Sequence, residues 1–566
     1  MLHFSIAADT HCFADDFLFG SATASYQVEG AVNEGGRTPS IWDQFCRERP
    51  GVKCANVADD FYHRYKDDIQ LMAKMGMQSF RFSISWSRAM NWDTAMHGMR
   101  PNPEGIAFYH SLIDELNLNN IEPILTLYHW DLPLELHTKL SPQGWLNSNI
   151  VQHFAEYATL MFHEYGSKVK FWTTFNEPLS FTTGGYATGS GAPGFTGSPT
   201  QVYEATHNVL LSHAIAVQQF RKLKSTRVIN DKARITIVLN ADYAYPLDAS
   251  NPADVRAASR KMQFDVGWFL SPIVNGDYPL IMRQVVGDRL PRFSSEQTEL
   301  LKGSYDLFML NHYSTRAATY CDSSTSRTSC HSLAVGWERD RGVDISQTVP
   351  GTRERSKKAK QDSHCASFTA YPPGYLATIQ WLHKHDTAAD ILLTENGWCG
   401  DDEIDSPDQL WYFTAYLHQV HKAITEEHIP VIGYTAWSFL DNYEWGSYES
   451  RFGLYYVNYT SESGSPDFYK PKPSDLARIP RPSAEWFKKV ATTKCLSVDE
   501  ASTTTTSTPK NDGRSHHVWH WLFAIVAIAA VGFVAVVVLM FFAGRRLWRH
   551  FRGHEDGVTG ERTPLL

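Results

Sequence analysis

The stretch "FWTTFNEPLS", residues 171–180, decides the fold. Phe171 to Phe175 are aromatic or β-branched, the composition of a strand built for a core. The run then delivers an amide and a carboxylate at its end, in Asn176-Glu177-Pro178. A second stretch, "ILLTENGW" at residues 391–398, places Glu395 just past another strand of the same kind.

Working outward, six more strand-like runs surround these two. They are "FLFGSATAS", "MQSFRFSISW", "IEPILTLYHW", "ARITIVLNAD", "YDLFMLNHY" and "PVIGYTAWS". Several lack clean alternation, which suits parallel strands buried on both faces. Helical patterns lie between them. In "ADDFYHRYKDDIQLMAKMG", Phe61, Tyr65, Ile69 and Met72 recur at helical spacing, behind acidic residues expected in the first turn. "WLNSNIVQHFAEYATLMFHEYG" has the same character. There is no short-period repeat and no internal linker.

Eight strands separated by helices predict one (β/α)8 TIM barrel with long βα loops, over residues 13–495. A doubly wound open sheet is the alternative, weakened by the lack of a Gly-rich phosphate loop after any strand. In a barrel, functional residues come from the C-terminal ends of the strands. Gln27, His129, Asn176, Glu177, Asn240, Asn311, Tyr313, Glu395 and Trp437 all fall there. Polar residues ending nearly every strand imply a polar pocket.

The chain of 566 residues, 43% hydrophobic, is long enough for such a core. Its net charge of −9 and the lack of a long basic stripe before residue 500 argue against a nucleic-acid partner. None of the eight cysteines forms a zinc spacing. Cys46 with Cys54 and Cys321 with Cys330 are close in sequence, in Gly-, Pro- or Ser-rich loops. Both pairs are expected to be disulfides in an oxidising compartment.

The C-terminal end differs in kind. Residues 496–520 include "ASTTTTSTPKNDGRS", a Ser/Thr-rich linker that cannot bury a core. Residues 521–543, Trp521 to Ala543, carry no charge. As a helix they would span roughly 35 Å, enough for a hydrocarbon layer of about 30 Å. A single transmembrane helix in a lipid bilayer is expected. Arg545, Arg546, Arg549 and Arg552 then put the tail, residues 544–566, in the cytoplasm and the barrel in the lumen or outside the cell. The sequon Asn458-Tyr459-Thr460 agrees. "MLHFSIAADTHC" is not a signal peptide, lacking a basic start and a sustained apolar run. Either a leader precedes it or the span is a tail anchor with a cytosolic barrel; charge and cysteines favour the leader. The terminal "ERTPLL" resembles acidic dileucine signals for endosomes, lysosomes or vacuoles.

Glu177 would end strand four and Glu395 strand seven, facing one another across the barrel mouth. Two opposed carboxylates are what glycoside hydrolysis requires. Arg81, late in strand two, and Tyr313, after strand six, could contact Glu395 and favour its charged form. That charge would raise Glu177 and keep it protonated as the acid.

"TFNEP" and "TENG" on a barrel resemble family-one glycoside hydrolases, the β-glucosidases and the lactase-phlorizin hydrolase and klotho-like proteins around them. The resemblance covers Phe13 to about Lys489. "FLFGSATASYQVEGA" carries Gln27, "FRFSISWSR" Arg81, "LYHWDLP" His129 and Trp130, and "NHYS" Asn311 and Tyr313. "WSFLDNYEW" carries Trp437, Glu444 and Trp445, and "RFGL" carries Phe452. The resemblance implies a retaining β-glucosidase acting on small β-glycosides, without metal or cofactor, with Glu177 as acid/base and Glu395 as nucleophile. Asn176 would hold the sugar 2-hydroxyl. Gln27, His129 and Glu444 would take hydroxyls around the ring, Trp437 would lie beneath it, and Trp445 would meet the outer hydroxyls.

Related thioglucosidases carry Gln where Glu177 stands, so an O-glycoside is expected. Relatives acting on 6-phosphosugars lack the Glu444-Trp445 pair, so an unphosphorylated sugar is expected. Many members place a Trp where "CASFTAYPPG" offers Ser367 and Phe368, and the loop between Glu444 and Arg451 is about one residue short. The leaving-group side is thus the least predictable. His63, His153 and His207 read as packed or solvated helix residues, and "DDEIDSPD" as a solvated loop. Two other functions remain open: a non-catalytic klotho-like co-receptor, and a transglycosidase with an alcohol acceptor.

Overall fold

Eight strands pair in parallel and close on themselves. They are β1 (Leu18–Ala22), β2 (Ser79–Ser83), β3 (Glu122–Tyr128), β4 (Phe171–Asn176), β5 (Arg234–Asn240), β6 (Phe308–Asn311), β7 (Ile391–Glu395) and β8 (Val431–Trp437). Each pairs with its neighbour in sequence, and β8 closes on β1 with Trp437 beside Ala22. All eight fall inside the runs expected to be strands. The computed structural model describes residues 11–321, 328–331, 333–354, 365, 368–459 and 475–496.

The helices take their outer positions from their apolar faces. In Ile150–Tyr165, residues Phe154, Tyr157, Ala158, Met161, Phe162 and Tyr165 are buried, while Gln152, Glu156 and His163 are exposed. That is one stripe of a 3.6-residue period. A separate apolar cluster of Ile124, Val238, Leu307, Met309 and Leu392 draws on β3, β5, β6 and β7. Strands so placed around a ring meet only inside it, so the barrel is filled by side chains rather than open.

Asp59 and Asp60 do not lie in the first turn of the next helix, as expected, but before it. The helix Phe61–Lys74 starts after Asp60, whose backbone is left-handed at φ +56°. Asp60 accepts from Arg64 at 2.9 Å, so its charge is used in an ion pair.

Disulfides join Cys46 to Cys54 and Cys321 to Cys330, the two expected pairs. Their setting differs: Cys46 lies in the helix Ile41–Glu48, and Cys330 in the short helix Thr328–His331. Two further disulfides were not expected. Cys365 joins Cys399, and Cys12 joins Cys495 across 483 residues, where strand His11–Cys12 runs antiparallel to Cys495–Leu496. Sequence separation hid both: 34 residues part Cys365 from Cys399, and Cys12 meets Cys495 only because the closed barrel brings its two ends together.

Among the described residues no helix is long and apolar enough to cross a membrane. The expected linker beyond Leu496, the span Trp521–Ala543, the tail 544–566 and Thr460 of the sequon lie outside the described residues. Asn458 itself is exposed.

Candidate active site

The strand ends converge on a cavity of about 160 Å³ at the mouth of the barrel. Register explains the convergence: Asn311 on β6 stands beside both Asn240 of β5 and Glu395 of β7. The expected residues line this cavity except Asn240 and, fully buried beneath it, Arg81 and Asn311. Phe368 adds to the wall. A larger cavity of about 490 Å³, against the strand Val343–Gln347, shares only Phe368 with it and contains neither glutamate.

Glu177 is the left-handed residue (φ +45°) between β4 and the helix Pro178–Tyr186. Such a conformation is costly for a non-glycine residue and is kept where the surroundings dictate it. Pro178 follows as the first helical residue, where its missing N–H costs nothing. Glu395 closes β7, and the loop beyond it runs so close to β8 that a Cβ on Gly397 would sit 1.8 Å from the Trp437 carbonyl oxygen. Only glycine fits there.

The two glutamates have different company. Arg81 forms an ion pair with Glu395 Oε1, and the Tyr313 hydroxyl donates to Oε2 at 2.6 Å. Glu177 has neutral donors: Asn311 Nδ2 to Oε1 at 2.7 Å and Ser180 Oγ to Oε2 at 2.8 Å. Burial pushes the Glu177 carboxyl up to about 8, and the nearby Glu395 charge adds to the rise. The sequence points to the Glu395 charge alone, but desolvation is the larger cause. Burial also raises Glu395, and Arg81 and Tyr313 pull it back. Burial and Glu395 hold the Tyr313 phenol well above its ordinary range, so it stays a donor.

Asn176 orders the amide and imidazole groups. Its Oδ1 accepts from Arg81 Nη2 at 2.6 Å and Asn311 Nδ2 at 3.1 Å. The amide nitrogen is thereby turned to His129 Nε2, 3.0 Å away. That ring nitrogen must accept, so the imidazole carries its proton on Nδ1. Burial, with Arg81 nearby, depresses His129 well below its ordinary range and keeps it neutral. Asn311 is itself oriented by Thr394, whose hydroxyl donates to Asn311 Oδ1 at 2.7 Å.

The opposite wall is aromatic and acidic. Trp437 packs on the small side chains of Ala22 and Ala24 and donates through Nε1 to Glu444 Oε1 at 3.2 Å. Gln27 Nε2 donates to Asn442 Oδ1 (3.0 Å) and to the Tyr443 carbonyl (2.8 Å). Gln27 lines the cavity, and its Oε1 is buried with no partner among the described residues. Burial pushes Glu444 well above the carboxylate range. Trp445 lies 4.3 Å from Trp130 and 4.8 Å from Trp42 between ring centroids. Trp130 spends its N–H on the Asn176 carbonyl, 2.9 Å away, so it offers a ligand a ring face rather than a donor. Phe452 and Phe368 pack edge-on near Tyr313 and Trp398.

Asn240 ends β5 as expected but does not line the cavity; it donates to Ser180 at 3.0 Å. Sequence reasoning missed Ser180. Its signal is the spacing: three residues after Glu177 on a helix begun by proline, it shares the face of the capping residue. His63 pairs with Glu34 and Asp60, His207 stacks on Phe293, and His153 lies by Trp92, all away from the cavity. The acidic stretch expected as a solvated loop ends inside the helix Pro407–Thr425: Asp402 pairs with Arg451 at 2.8 Å, and Asp408, in that helix's first turn, with Arg353.

Amides, carboxylates and indole faces around one small cavity suit a polyol ring with polar edges and C–H faces. Residues 9–496 match the family model described as glycosyl hydrolase family 1. β-Glucosidase 28 of Arabidopsis thaliana is 38% identical over 505 residues, 85% of this chain and 81% of the relative. A rice β-glucosidase mutant in a covalent complex with Glc superposes with a TM-score of 0.74 at 34% identity, covering 84% of this chain and 98% of that one. A β-glucosidase of the fungus Humicola insolens in complex with glucose gives 0.74 and 34%, covering 85% and 98%.

Proposed function

We infer the function from one premise: the chain belongs to glycosyl hydrolase family 1. It is a β-glucosidase that hydrolyses terminal β-D-glucosyl O-glycosides with retention. The observation that carries this reading is the unequal company of two carboxylates in one pocket. Glu395 is paired with a cation and a phenol, Glu177 with neutral donors.

Glu177, protonated, gives its proton to the glycosidic oxygen as the C1–O bond breaks. A Glu395 oxygen attacks C1 from the opposite face and forms a glycosyl ester. Having given up its proton, Glu177 is ionised, and with the Glu395 charge consumed it stays so. It then takes a proton from water, whose oxygen attacks C1 and releases Glu395. Two inversions give net retention. Asn176 holds the 2-hydroxyl, where hydrogen bonds strengthen in the transition state. Gln27, His129 and Glu444 take further hydroxyls, and Trp437 supports the ring from below. Arg81 and Tyr313 keep the nucleophile in place.

The enzyme works on a membrane. Trp521 to Ala543 anchors it, and the barrel faces the lumen or the cell exterior. The uncharged run, the arginines after it and four disulfides support this placement. Retention of the full-length chain in the membrane pellet after alkaline carbonate extraction is expected; release into the supernatant would remove the anchor from this reading.

The activity is tested on the full-length chain with aryl β-glucoside, galactoside and fucoside, following the first-formed anomer by proton NMR. Glucoside cleavage with β-glucose appearing first, lost in Glu395→Gln, is expected. A folded protein that binds sugar and cleaves none of the three would point to a binding module instead.

A further inference from the structure

Glu177 must be an acid in one half-reaction and a base in the next, and its two oxygens are not equivalent. Oε1 accepts from Asn311 Nδ2. An amide N–H only donates, and Thr394 fixes that amide's orientation through Asn311 Oδ1. Oε1 is thus committed as an acceptor in both protonation states. The mobile proton belongs on Oε2, and the partner of Oε2 is the Ser180 hydroxyl at 2.8 Å.

A hydroxyl differs from an amide: it has one donor hydrogen and two acceptor lone pairs. One lone pair of Ser180 Oγ receives Asn240 Nδ2 at 3.0 Å. The hydrogen and the second lone pair remain for Oε2. Resting on the acid/base reading of Glu177, we propose that Ser180, oriented by Asn240, is a positioning residue that serves both states of that carboxyl. It donates to Oε2 when Glu177 is ionised and accepts from Oε2–H when Glu177 is protonated. It also parks Oε2 until a glycosidic oxygen replaces it. No covalent bond to Ser180 forms, and the only proton moved is that of Glu177.

The local backbone makes this arrangement. Glu177 caps the helix Pro178–Tyr186 and Ser180 is its third residue, with the Ser180 N–H donating to the Glu177 carbonyl at 3.0 Å. Side chains at these two positions lie on one face. The charged and titratable groups that also act on Glu177 are Glu395, Arg81 and Tyr313, and none of them contacts Oε2. Burial and Glu395 raise the Glu177 carboxyl; Asn311 and Ser180 oppose the rise.

The test compares full-length S180A and S180T with the parent. Its readout is the pH profile of kcat/KM for an alkyl β-glucoside, whose poor leaving group needs the acid, and for 2,4-dinitrophenyl β-glucoside, which does not. Of the two bonds, the one to the ionised carboxylate is charge-assisted and the stronger, so losing both raises the carboxyl. The basic limb for the alkyl glucoside should move up by about one pH unit in S180A. It should return in S180T and leave the dinitrophenyl profile unmoved. A folded S180A with the parental limb overturns the proposal. So does an equal shift with both substrates, which a general distortion of the pocket would produce. Should S180A fail to fold, Asn240→Ala is expected to give a smaller shift in the same direction, and an unmoved limb there overturns the proposal too. Glu177→Gln, run alongside, separates two failures. If it keeps parental hydrolysis of the alkyl glucoside, the acid/base reading falls and Ser180's role with it. If it loses that hydrolysis while the S180A limb stays put, Ser180's role alone falls.

Discussion

The Tyr313 hydroxyl donates to Glu395 Oε2 at 2.6 Å, while Arg81 holds the other oxygen of the same carboxylate. Glu395 is thus gripped at both oxygens, by Arg81 within β2 and by Tyr313 just past β6. One of these bonds must be released or reshaped as the ester forms. Removing the phenol in Tyr313→Phe should lower kcat/KM for aryl β-glucoside by about 10–100-fold, the worth of one hydrogen bond to a charged group. Thermal melting should stay near the parental value. A variant as active as the parent would show that the bond is not used.

The pH dependence follows from the unequal carboxyls. As the proposed acid, Glu177 is needed in its protonated form and its carboxyl is pushed up to about 8, so kcat/KM should fall as pH rises through about 8. As the proposed nucleophile, Glu395 is needed in its ionised form and is itself raised by burial, so the acidic limb should lie above the ordinary Glu range. Glu177→Gln should abolish the basic limb and reduce hydrolysis of unactivated glucosides by about 100-fold or more. A basic limb that survives in this variant would assign it to another group.

The same shift has a consequence for stability. A folded-state pKa above the unfolded value means that the folded chain binds the extra proton between about 4.5 and 8. This contribution is fully present below the lower value and is lost as pH rises through the upper one. Glu177→Gln should therefore melt higher than the parent at pH 9, and its advantage should shrink towards pH 4. An advantage independent of pH would point to packing rather than charge.

The Cys12–Cys495 bond ties the two ends of the barrel. Its loss in a Cys12→Ser/Cys495→Ser variant should cost about 2–5 kcal/mol and lower the melting temperature without changing KM, since neither residue lines the pocket. All eight cysteines are paired. Alkylation before reduction should therefore modify none of them; any labelled thiol in the folded protein would contradict this pairing.

Phe368 lines the pocket, against Trp398 and near Phe452. Phe368→Ala should raise KM for aryl glucosides several-fold, roughly the loss of one buried aromatic contact, and leave the rate of glycosyl-enzyme breakdown unchanged. Pre-steady-state bursts with a dinitrophenyl glucoside would separate the two steps. A slowed breakdown would place Phe368 on the sugar side instead.

The barrel was legible because each element announces itself locally. "FWTTFN" and "ILLTE" are strands by composition, and the buried stripe from Phe154 to Tyr165 is a helix by period. Glu177 and Glu395 were legible because a polar residue closing a core-like strand has few other uses. The Arg81 and Tyr313 contacts were legible because one lies in and the other just past a strand leading to the barrel mouth. Neither the Ser180 bond nor the pairing of Cys12 with Cys495 followed in that way.

The sequence by itself determined the strand order, the barrel and the chemical types gathered at its mouth, since hydrophobic period and strand-end residues are properties of short segments. Tertiary structure alone decided which oxygen of Glu177 meets an amide and which meets a hydroxyl, and it made burial the main cause of the raised Glu177 carboxyl. It also joined cysteines 483 residues apart. The reason is physical: desolvation, hydrogen-bond direction and disulfide reach depend on distances in space, and no spacing along a chain carries them.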